Sequence, residues 1–476
     1  MAQLCDLPPE LVVGIFKQLH TRQAMQDVMT SASTDKAFAM ILRSSWQDRF
    51  NLSVVNRRYH KIARPLVYKT ISIHKRGALR KLVSLLRFLR ANPDVASSVE
   101  QLYLDIRPHS SYFQHVNPTD ADTVFEASKT STIGGIQSFW NHELERALGF
   151  RPQVPDTLKT THECACFTTI FILLLHNMRN VHDLGIAVMP GSCSCLSHRI
   201  KEICPSSVDF FDVMNLIMET IELPEQLHDF PAFENVKAVA LRSIDGMSNP
   251  FLGYQAGALL KMNPNATCFY MEGCDFIYSQ LFNMGLSSIT QLTIHGVKMD
   301  KYDYFTVIKS CSMLLHFKYI AKTHNKCDVG GCGPSPKRIV EMLQETGHNT
   351  TLVSLYLDYR QNGDLWRPGY PSLADFKALD SASLCFNTTP LEDSVWGSNR
   401  RPAESTLMSL PQNLRILRLW GNGWSSSALE QLFPTSAKFP NLESVDFDWE
   451  DGQVEYFRQR LRNSGIQSLN AADLTR

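Results

Sequence analysis

Two close cysteine pairs are the residues of this sequence whose spacing best suits metal chemistry. Cys164 and Cys166 form one pair, and Cys193 and Cys195 form the other. Four thiolates can hold one zinc ion tetrahedrally. However, Cys-x-Cys is tighter than the usual Cys-x-x-Cys spacing, and the first pair runs straight into an apolar stretch beginning at Phe167. We therefore predict no metal and no cofactor, and a zinc-stabilised module or zinc enzyme built on these four thiols is the less favoured alternative.

Signatures of the common enzyme classes are missing from the sequence. There is no Gly-Lys-Ser/Thr phosphate loop, no Gly-x-Gly-x-x-Gly, no nucleophile elbow and no His-Glu-x-x-His. A zinc deaminase needs His-x-Glu, whereas Glu163 follows His162 directly. The sequence therefore predicts a protein that binds other molecules and is not an enzyme.

The first element that could position a binding surface is a helix over residues 7–19. Pro8 and Pro9 suit a first helical turn, because proline fixes φ and lacks the N–H that such a turn leaves unpaired. The apolar residues that follow lie on one stripe of the helix: Leu11, Val12, Ile15, Phe16 and Leu19. This stripe packs either on the chain's own core or on a partner.

A second segment, residues 52–68, has apolar residues at helical spacing, and Pro65 predicts the end of its helix. Together the two segments resemble an F-box, a three-helix module that docks on a Skp-type adaptor and thereby joins a cullin ubiquitin ligase. The residues that match the family pattern in order are Leu7, Pro8, Glu10, Ile15, Phe16, Leu19, Leu52, Val54, Val55, Arg57, Arg58, Tyr59, Ile62, Ala63, Pro65, Leu66 and Tyr68. The resemblance implies an adaptor-binding face made of Leu7, Pro8, Ile15, Phe16 and Val55.

The segment departs from the F-box pattern in two places. Residues 20–51 form a longer interruption than the family usually carries, and Asn56 stands where a cysteine is common. An F-box-derived scaffold that has lost adaptor binding is therefore the alternative to a ligase subunit. We place the F-box-like module at 1–76, with its insert at about 20–51, and a linker helix at 77–98.

A short pattern, apolar-x-x-apolar-x-apolar, recurs through the rest of the chain and resembles irregular leucine-rich repeats. The clear copies begin at Val99, Val181, Val236, Ile289, Leu314, Leu352, Leu414 and Leu442, and weaker copies begin at Ala266 and Phe376. Helical stretches separate many copies, so we predict an α/β repeat: a solenoid over 99–476 with parallel strands on its concave face and helices outside. Insertions are expected at about 107–165 and 385–406. A doubly wound domain would need longer strands and a glycine-rich first turn.

Residues that alternate with the buried positions of such strands line the concave face, where extended partners bind. The predicted target-binding residues are Tyr356, Asp358, Arg418, Trp420, Asp446 and Asp448. Their three carboxylates suggest a partly acidic surface that favours a basic segment, unless Arg360 and Arg415 cancel that charge. A generic solvated sheet face is the alternative interpretation.

Composition narrows the class of partner. The chain has 47 Lys+Arg and 47 Asp+Glu residues, so no excess of positive charge indicates nucleic acid. The longest apolar run, 167–175, is shorter than the roughly 20 residues that span a bilayer, and residues 1–19 do not resemble a signal peptide. We therefore expect an intracellular protein, cytoplasmic or nuclear, that binds a Skp-type adaptor, through it a cullin, and a target protein of unknown identity. We expect it to bind neither nucleic acid nor membrane.

Overall fold

A computed structural model of the chain describes a set of segments that fall into two compact units, Met1–Thr267 and Cys268–Arg476. The described residues are 54, 57–73, 78–106, 170–188, 234–243, 259–260, 262–273, 286–297, 299, 301–321, 333–360, 372–386, 409–421, 439–447, 453–463 and 465–469. Every structural statement below concerns these residues.

The first unit alternates helices with parallel strands. Its helices are α1 (Arg57–Val67), α2 (Ala78–Ala91) and the single turn α3 (Pro93–Ala96), and residues 170–177 are also helical. Its strands are β1 (Thr70–Ile73), β2 (Gln101–Ile106), β3 (Asp183–Val188) and β4 (Ala238–Ser243). Helix α2 forms because its apolar residues recur at helical spacing, and their side chains are buried: Leu82, Val83, Leu86 and Leu89.

The second unit continues the same alternation. Its strands are β5 (Cys268–Glu272), β6 (Gln291–His295), β7 (His316–Ile320), β8 (Ser354–Asp358), β9 (Ser381–Cys385), β10 (Ile416–Trp420), β11 (Ser444–Phe447) and β12 (Gln467–Leu469). Its helices are α4 (Lys301–Ser310), α5 (Pro336–Glu345) and α6 (Gln453–Asn463), with 3-10 turns at Leu286–Ser288 and His348–Thr350. Helix α5 begins after Ser335, whose hydroxyl accepts a hydrogen bond from the Arg338 N–H at 3.2 Å.

Within each unit, every strand pairs in parallel with the strand that follows it in the chain. The pairs run from β1 to β4 in the first unit and from β5 to β12 in the second. Parallel strands stacked in chain order, with helices between several of them, form an α/β arrangement consistent with a repeat fold.

The register aligns the apolar residues of successive strands into two buried rows. In the second unit the first row runs from Phe269 through Leu355 to Val445, and the second from Met271 through Leu357 to Phe447. Because adjacent residues of a strand point to opposite faces, both rows lie on the same face, which we call the core face. The opposite face is called the polar face below.

An asparagine before the strand links several repeats. Asn180, Asn235, Asn265 and Asn413 each stand directly before the first apolar residue of a repeat and donate from Nδ2 to a backbone carbonyl of the preceding repeat. The acceptors occupy equivalent positions: the carbonyls of Ser97, Arg179, Glu234 and Lys377. These bonds satisfy carbonyls at the turn into each strand and help to hold the repeats in register.

An aromatic series packs helix α4 on the core face of the second unit. The ring centroid of Tyr304 lies 5.9 Å from that of Tyr319, Tyr319 lies 5.4 Å from Tyr359, and Tyr359 lies 5.8 Å from Phe386. All four rings are buried, and the Tyr359 hydroxyl donates to the Pro334 carbonyl at 2.8 Å. Aromatic pairs at these separations add to the energy of burial.

The structure confirms the predicted strand at each of the eight clear copies of the repeat pattern and at the copy beginning at Ala266. The copy predicted to begin at Phe376 is wrong by three residues, since Ala382 pairs with Leu355 and Leu384 pairs with Leu357. The pattern in that repeat therefore begins at Leu379. The prediction slipped because alanine replaces a larger apolar residue in the first buried row.

Three further features differ from or add to the expectations. Strands β1 and β12 were not predicted, and β1 pairs with β2 ahead of the predicted start at residue 99. Helix α1 continues to Val67, two residues beyond Pro65. In the part of the chain that the structure describes, no helix has the length and apolar character needed to cross a membrane.

Candidate functional site

The predicted target-binding residues that the structure describes lie together on the polar face of the second unit. Tyr356 and Asp358 belong to β8, Arg418 and Trp420 to β10, and Asp446 to β11. Each alternates along its strand with residues of the two core rows, so all five point to the polar face. Asp448 lies outside the described residues.

Asp358 is the most heavily hydrogen-bonded residue of this group. Its Oδ1 accepts from the backbone N–H of Arg360 at 3.0 Å and from Arg360 Nε at 3.1 Å. Its Oδ2 accepts from Arg360 Nη2 at 2.8 Å and from the Tyr356 hydroxyl at 3.0 Å. A carboxylate offers about four lone-pair sites, so these four donors occupy all of them. Asp358 is 6% exposed, which suits a structural role better than that of a general base or metal ligand.

Trp420 contacts both Tyr356, which donates to Asp358, and Asp446 on the next strand. Its indole Nε1 donates to Asp446 Oδ2 at 3.0 Å, and Asp446 is 1% exposed. Its ring meets the Tyr356 ring edge to face, with centroids 6.3 Å apart and an interplanar angle of 79°. The half-buried rings of Tyr356 and Trp420 therefore form one aromatic platform, and each side chain donates a hydrogen bond to a carboxylate.

Cationic groups lie over this platform. The Arg360 guanidinium carbon is 5.3 Å from the Trp420 ring centroid, and Lys318 Nζ is 4.6 Å from the Tyr356 ring centroid. Both distances are within the range of cation–π attraction. We call the group the sheet-face cluster and define it as Lys318, Tyr356, Asp358, Arg360, Arg418, Trp420 and Asp446.

Arg418 lies at the centre of the sheet-face cluster, paired in register with Ser383 on one side and Asp446 on the other. Its side chain is half-buried, and its Nε is fully buried without a hydrogen-bonding partner among the described residues. A buried donor that lacks a partner is costly. Because that Nε is buried, an acceptor from outside could reach only the exposed part of the Arg418 side chain.

The surroundings fix the protonation of two members of the cluster. Burial, together with the nearby Cys385 and Asp358, raises the pKa of the Tyr356 hydroxyl far above its ordinary value. The hydrogen bonds from Arg360 to Asp358 raise the pKa of the Arg360 guanidinium. Tyr356 thus remains a neutral donor and Arg360 remains a cation at physiological pH.

A second polar group lies on β5 and β6. The Tyr270 hydroxyl donates to Glu272 Oε2 at 3.0 Å and is 3.1 Å from His295 Nδ1, which is 3.5 Å from Glu272 Oε1. Glu272 is 6% exposed. The three side chains satisfy one another, which accounts for polar groups at buried positions without assigning them a reaction.

Sequence reasoning did not include Lys318 in the site and treated Arg360 only as a charge that might cancel acidic ones. The signal for Arg360 is its position two residues after Asp358, where both the backbone N–H and the side chain reach that carboxylate. The signal for Lys318 is the same alternation with core residues that identified Tyr356. The order of the strands decides which side chains become neighbours. It was therefore needed to group Lys318 and Arg360 with the predicted residues.

The other predicted sites lie outside the described residues. These are the adaptor-binding residues Leu7, Pro8, Ile15, Phe16 and Val55 and the candidate zinc ligands Cys164, Cys166, Cys193 and Cys195. Where the structure describes the chain, no group of three or more His, Cys, Asp or Glu side chains is placed to hold a metal ion.

No protein-family model matches this chain, and no curated protein matches it. The geometry of the sheet-face cluster nevertheless limits what this face can do. The carboxylate of Asp358 is saturated with donors and Tyr356 remains protonated, while the cations and aromatic rings are partly exposed. Such an arrangement suits recognition of another molecule better than bond-breaking chemistry.

Proposed function

We propose that this protein is the substrate-recognition subunit of an SCF-type ubiquitin ligase. In this proposal the N-terminal segment binds a Skp-type adaptor, which links it to a cullin, and the strand-rich region binds a target protein. The observation that carries the proposal is the ordered F-box-like match from Leu7 to Tyr68, followed by parallel strands in chain order. Irregular leucine-rich repeats are the form of repeat that the apolar pattern resembles.

The proposed mechanism is proximity, with no catalytic residue in this chain. A receptor that holds the adaptor at one end and a target at the other raises the concentration of target lysines near the transferring enzyme. The sheet-face cluster supports the binding half of this mechanism, because aromatic and arginine side chains dominate the energy of protein interfaces. Such a receptor would act in the cytoplasm or the nucleus.

Co-purification of the full chain with a Skp-type adaptor tests the proposal. We expect the unmodified chain to retain the adaptor, and the double variant Leu7→Ala/Ile15→Ala to lose it, because both side chains lie on the proposed docking face. Lys17→Ala is the matched control on the same predicted helix, since the helical spacing puts Lys17 opposite the apolar stripe. Equal recovery of adaptor with the double variant and with the control would refute the docking assignment.

The insert between the two F-box-like segments favours one alternative, a repeat scaffold that has lost adaptor binding. Residues 20–51 interrupt the module at a point where the family usually has a shorter connection. Deletion of Thr21–Phe50 distinguishes this scaffold from a ligase subunit. Adaptor binding that appears only after the deletion would indicate the scaffold, whereas binding by the full chain would indicate the ligase subunit.

A further inference from the structure

We infer that the sheet-face cluster binds an extended, acidic segment of a partner protein. The inference rests on the proposed function, because it specifies the chemistry of the target that the receptor would hold. The groups recognised are the side chains of aspartate and glutamate. It also reverses the charge expected from the sequence, which suggested an acidic surface and a basic partner.

The carboxylates of the cluster do not present negative charge to a partner. Asp358 is 6% exposed and its oxygens are occupied by Tyr356 and Arg360. Asp446 is 1% exposed and accepts from the Trp420 indole. A basic segment would have to displace Tyr356 or Arg360 to reach Asp358, which would leave those donors unsatisfied, and Asp446 is too deeply buried for a partner to reach it.

The cations of the cluster are more accessible than its carboxylates. Lys318, Arg360 and Arg418 are each partly exposed, whereas both carboxylates are buried. A carboxylate is the acceptor that matches a guanidinium best in both charge and geometry.

The aromatic platform gives the proposed partner a place for one apolar side chain. Tyr356 and Trp420 are half-buried and meet edge to face, with Lys318 over the Tyr356 ring and Arg360 over the Trp420 ring. An apolar side chain would therefore contact the ring edges and the aliphatic stems of these two cations. Aromatic side chains with a polar tip are common anchors at interfaces, because they offer a large contact area at a low cost in entropy. A segment with an apolar residue between two acidic ones would use the platform and the cations together.

The strand order sets the spacing of the acidic residues. Lys318 on β7 and Arg418 on β10 occupy the same register row, three strand steps apart. At roughly 4.8 Å per step the two positions are about 14 Å apart. An extended chain covers about 3.4 Å per residue, so it spans this distance in about four residues. Residues that far apart in an extended chain point the same way, so both can face the cluster.

Fluorescence anisotropy with a labelled peptide tests the inference on the full chain. The probe carries two glutamates four residues apart with a leucine midway, in a glycine–serine background, and its comparison peptide has glutamine in place of both glutamates. We expect saturable binding of the glutamate peptide, which weakens as salt is added because surface charges are screened. We expect the glutamine peptide to bind about tenfold or more weakly, the range for loss of a charged hydrogen bond.

Arg418→Met and Arg415→Met form a matched pair of variants on one chain segment. Arg415 is an exposed arginine directly before β10, where it makes ion pairs with Glu443 and Asp380. We expect Arg418→Met to raise the Kd of the glutamate peptide about tenfold or more, and Arg415→Met to leave it unchanged. Thermal melting of both variants checks that each is folded.

Three outcomes would overturn the inference. Equal binding of the glutamate and glutamine peptides would remove the role of charge, and equal loss in the two arginine variants would remove the role of the cluster. Binding of a peptide with phosphoserine in place of the glutamates, without binding of the glutamate peptide, would refute recognition of carboxylates. None of these results bears on adaptor binding, so this inference and the F-box assignment fail separately.

Discussion

Replacement of Asp358 by asparagine should destabilise the second unit and strengthen binding of an acidic peptide. Asparagine keeps the shape of the side chain but replaces one oxygen by an NH₂ donor and removes the charge. The present carboxylate accepts four hydrogen bonds, three of them from Arg360. In Asp358→Asn the Arg360 guanidinium loses this ionic partner, and at least one donor faces another donor.

The size of the effect follows from the burial of the two partners. Breaking a fully buried ion pair costs about 3–5 kcal/mol, whereas an exposed pair contributes about 0–1 kcal/mol. The side chain of Asp358 is 9% exposed and that of Arg360 is 34% exposed. Solvent therefore screens part of the interaction, and we expect a loss of about 2–3 kcal/mol in the free energy of unfolding. For a unit of this size that is a fall of about 4–12 °C in Tm.

Thermal and urea unfolding followed by circular dichroism provides the assay, with Glu443→Gln as the matched control. Glu443 also pairs with an arginine on the sheet, with 2.7 Å between its Oε2 and Arg415 Nη2, but both side chains are exposed. We expect this control to leave the unfolding midpoint unchanged. A similar midpoint for Asp358→Asn, Glu443→Gln and the unmodified chain would refute the description of Asp358 as a buried, saturated acceptor.

The same variant tests the direction of charge recognition. Without the carboxylate of Asp358 the cluster gains one unit of positive charge, so affinity for the glutamate peptide should rise while stability falls. Mutations that only loosen the fold lower stability and binding together. A fall in affinity in Asp358→Asn would therefore contradict the proposed acidic partner.

Two further predictions address the core and its response to pH. A Cβ at Gly333 would overlap the hydroxyl of Tyr319, whose ring is held between two other tyrosines. We expect Gly333→Ala to lower the free energy of unfolding by about 1–3 kcal/mol, and by much less in a Tyr319→Phe background. Additive losses in a double-mutant cycle would refute this packing. Burial lowers the pKa of His348 below its ordinary 6.5, against the opposing effect of its hydrogen bond to the Ile308 carbonyl. The unfolded chain therefore binds the proton more tightly, so stability is complete above about pH 6.5 and falls as the pH decreases below it. His348→Gln should reduce the loss of Tm between about pH 7 and pH 5, and an identical loss in both proteins would exclude His348 as its source.

The strands could be predicted from the sequence because each repeat places three apolar residues at a spacing that suits a turn followed by a buried strand. The prediction slipped at β9, where Ala382 occupies a core position and provides little apolar signal. It missed β12, which has only three residues, and β1, which lies within the stretch assigned to the F-box-like module. The asparagines before the strands carried a further signal, since their side chains bond to the preceding repeat.

The membership of the candidate site was partly predictable, but its charge was not. Alternation along a strand placed Tyr356, Arg418 and Trp420 on one face without knowledge of the fold. Whether a carboxylate on that face is exposed or saturated depends on residues from other strands and on the chain just beyond it. Arg360 follows β8 and covers Asp358, while Trp420 reaches Asp446 from the neighbouring strand. These contacts bury the two described carboxylates of the expected acidic surface, while the cations beside them remain partly exposed.

The affinity of the purified full-length chain for a Skp-type adaptor tests the central claim most directly. Titration calorimetry should give saturable binding with one adaptor per chain, and Leu7→Ala/Ile15→Ala should abolish the binding heat while Lys17→Ala preserves it. Arg418→Met should also preserve it, because the sheet-face cluster is assigned to the target and not to the adaptor. Absence of binding by the unmodified chain, or binding that the double variant retains in full, would contradict the account.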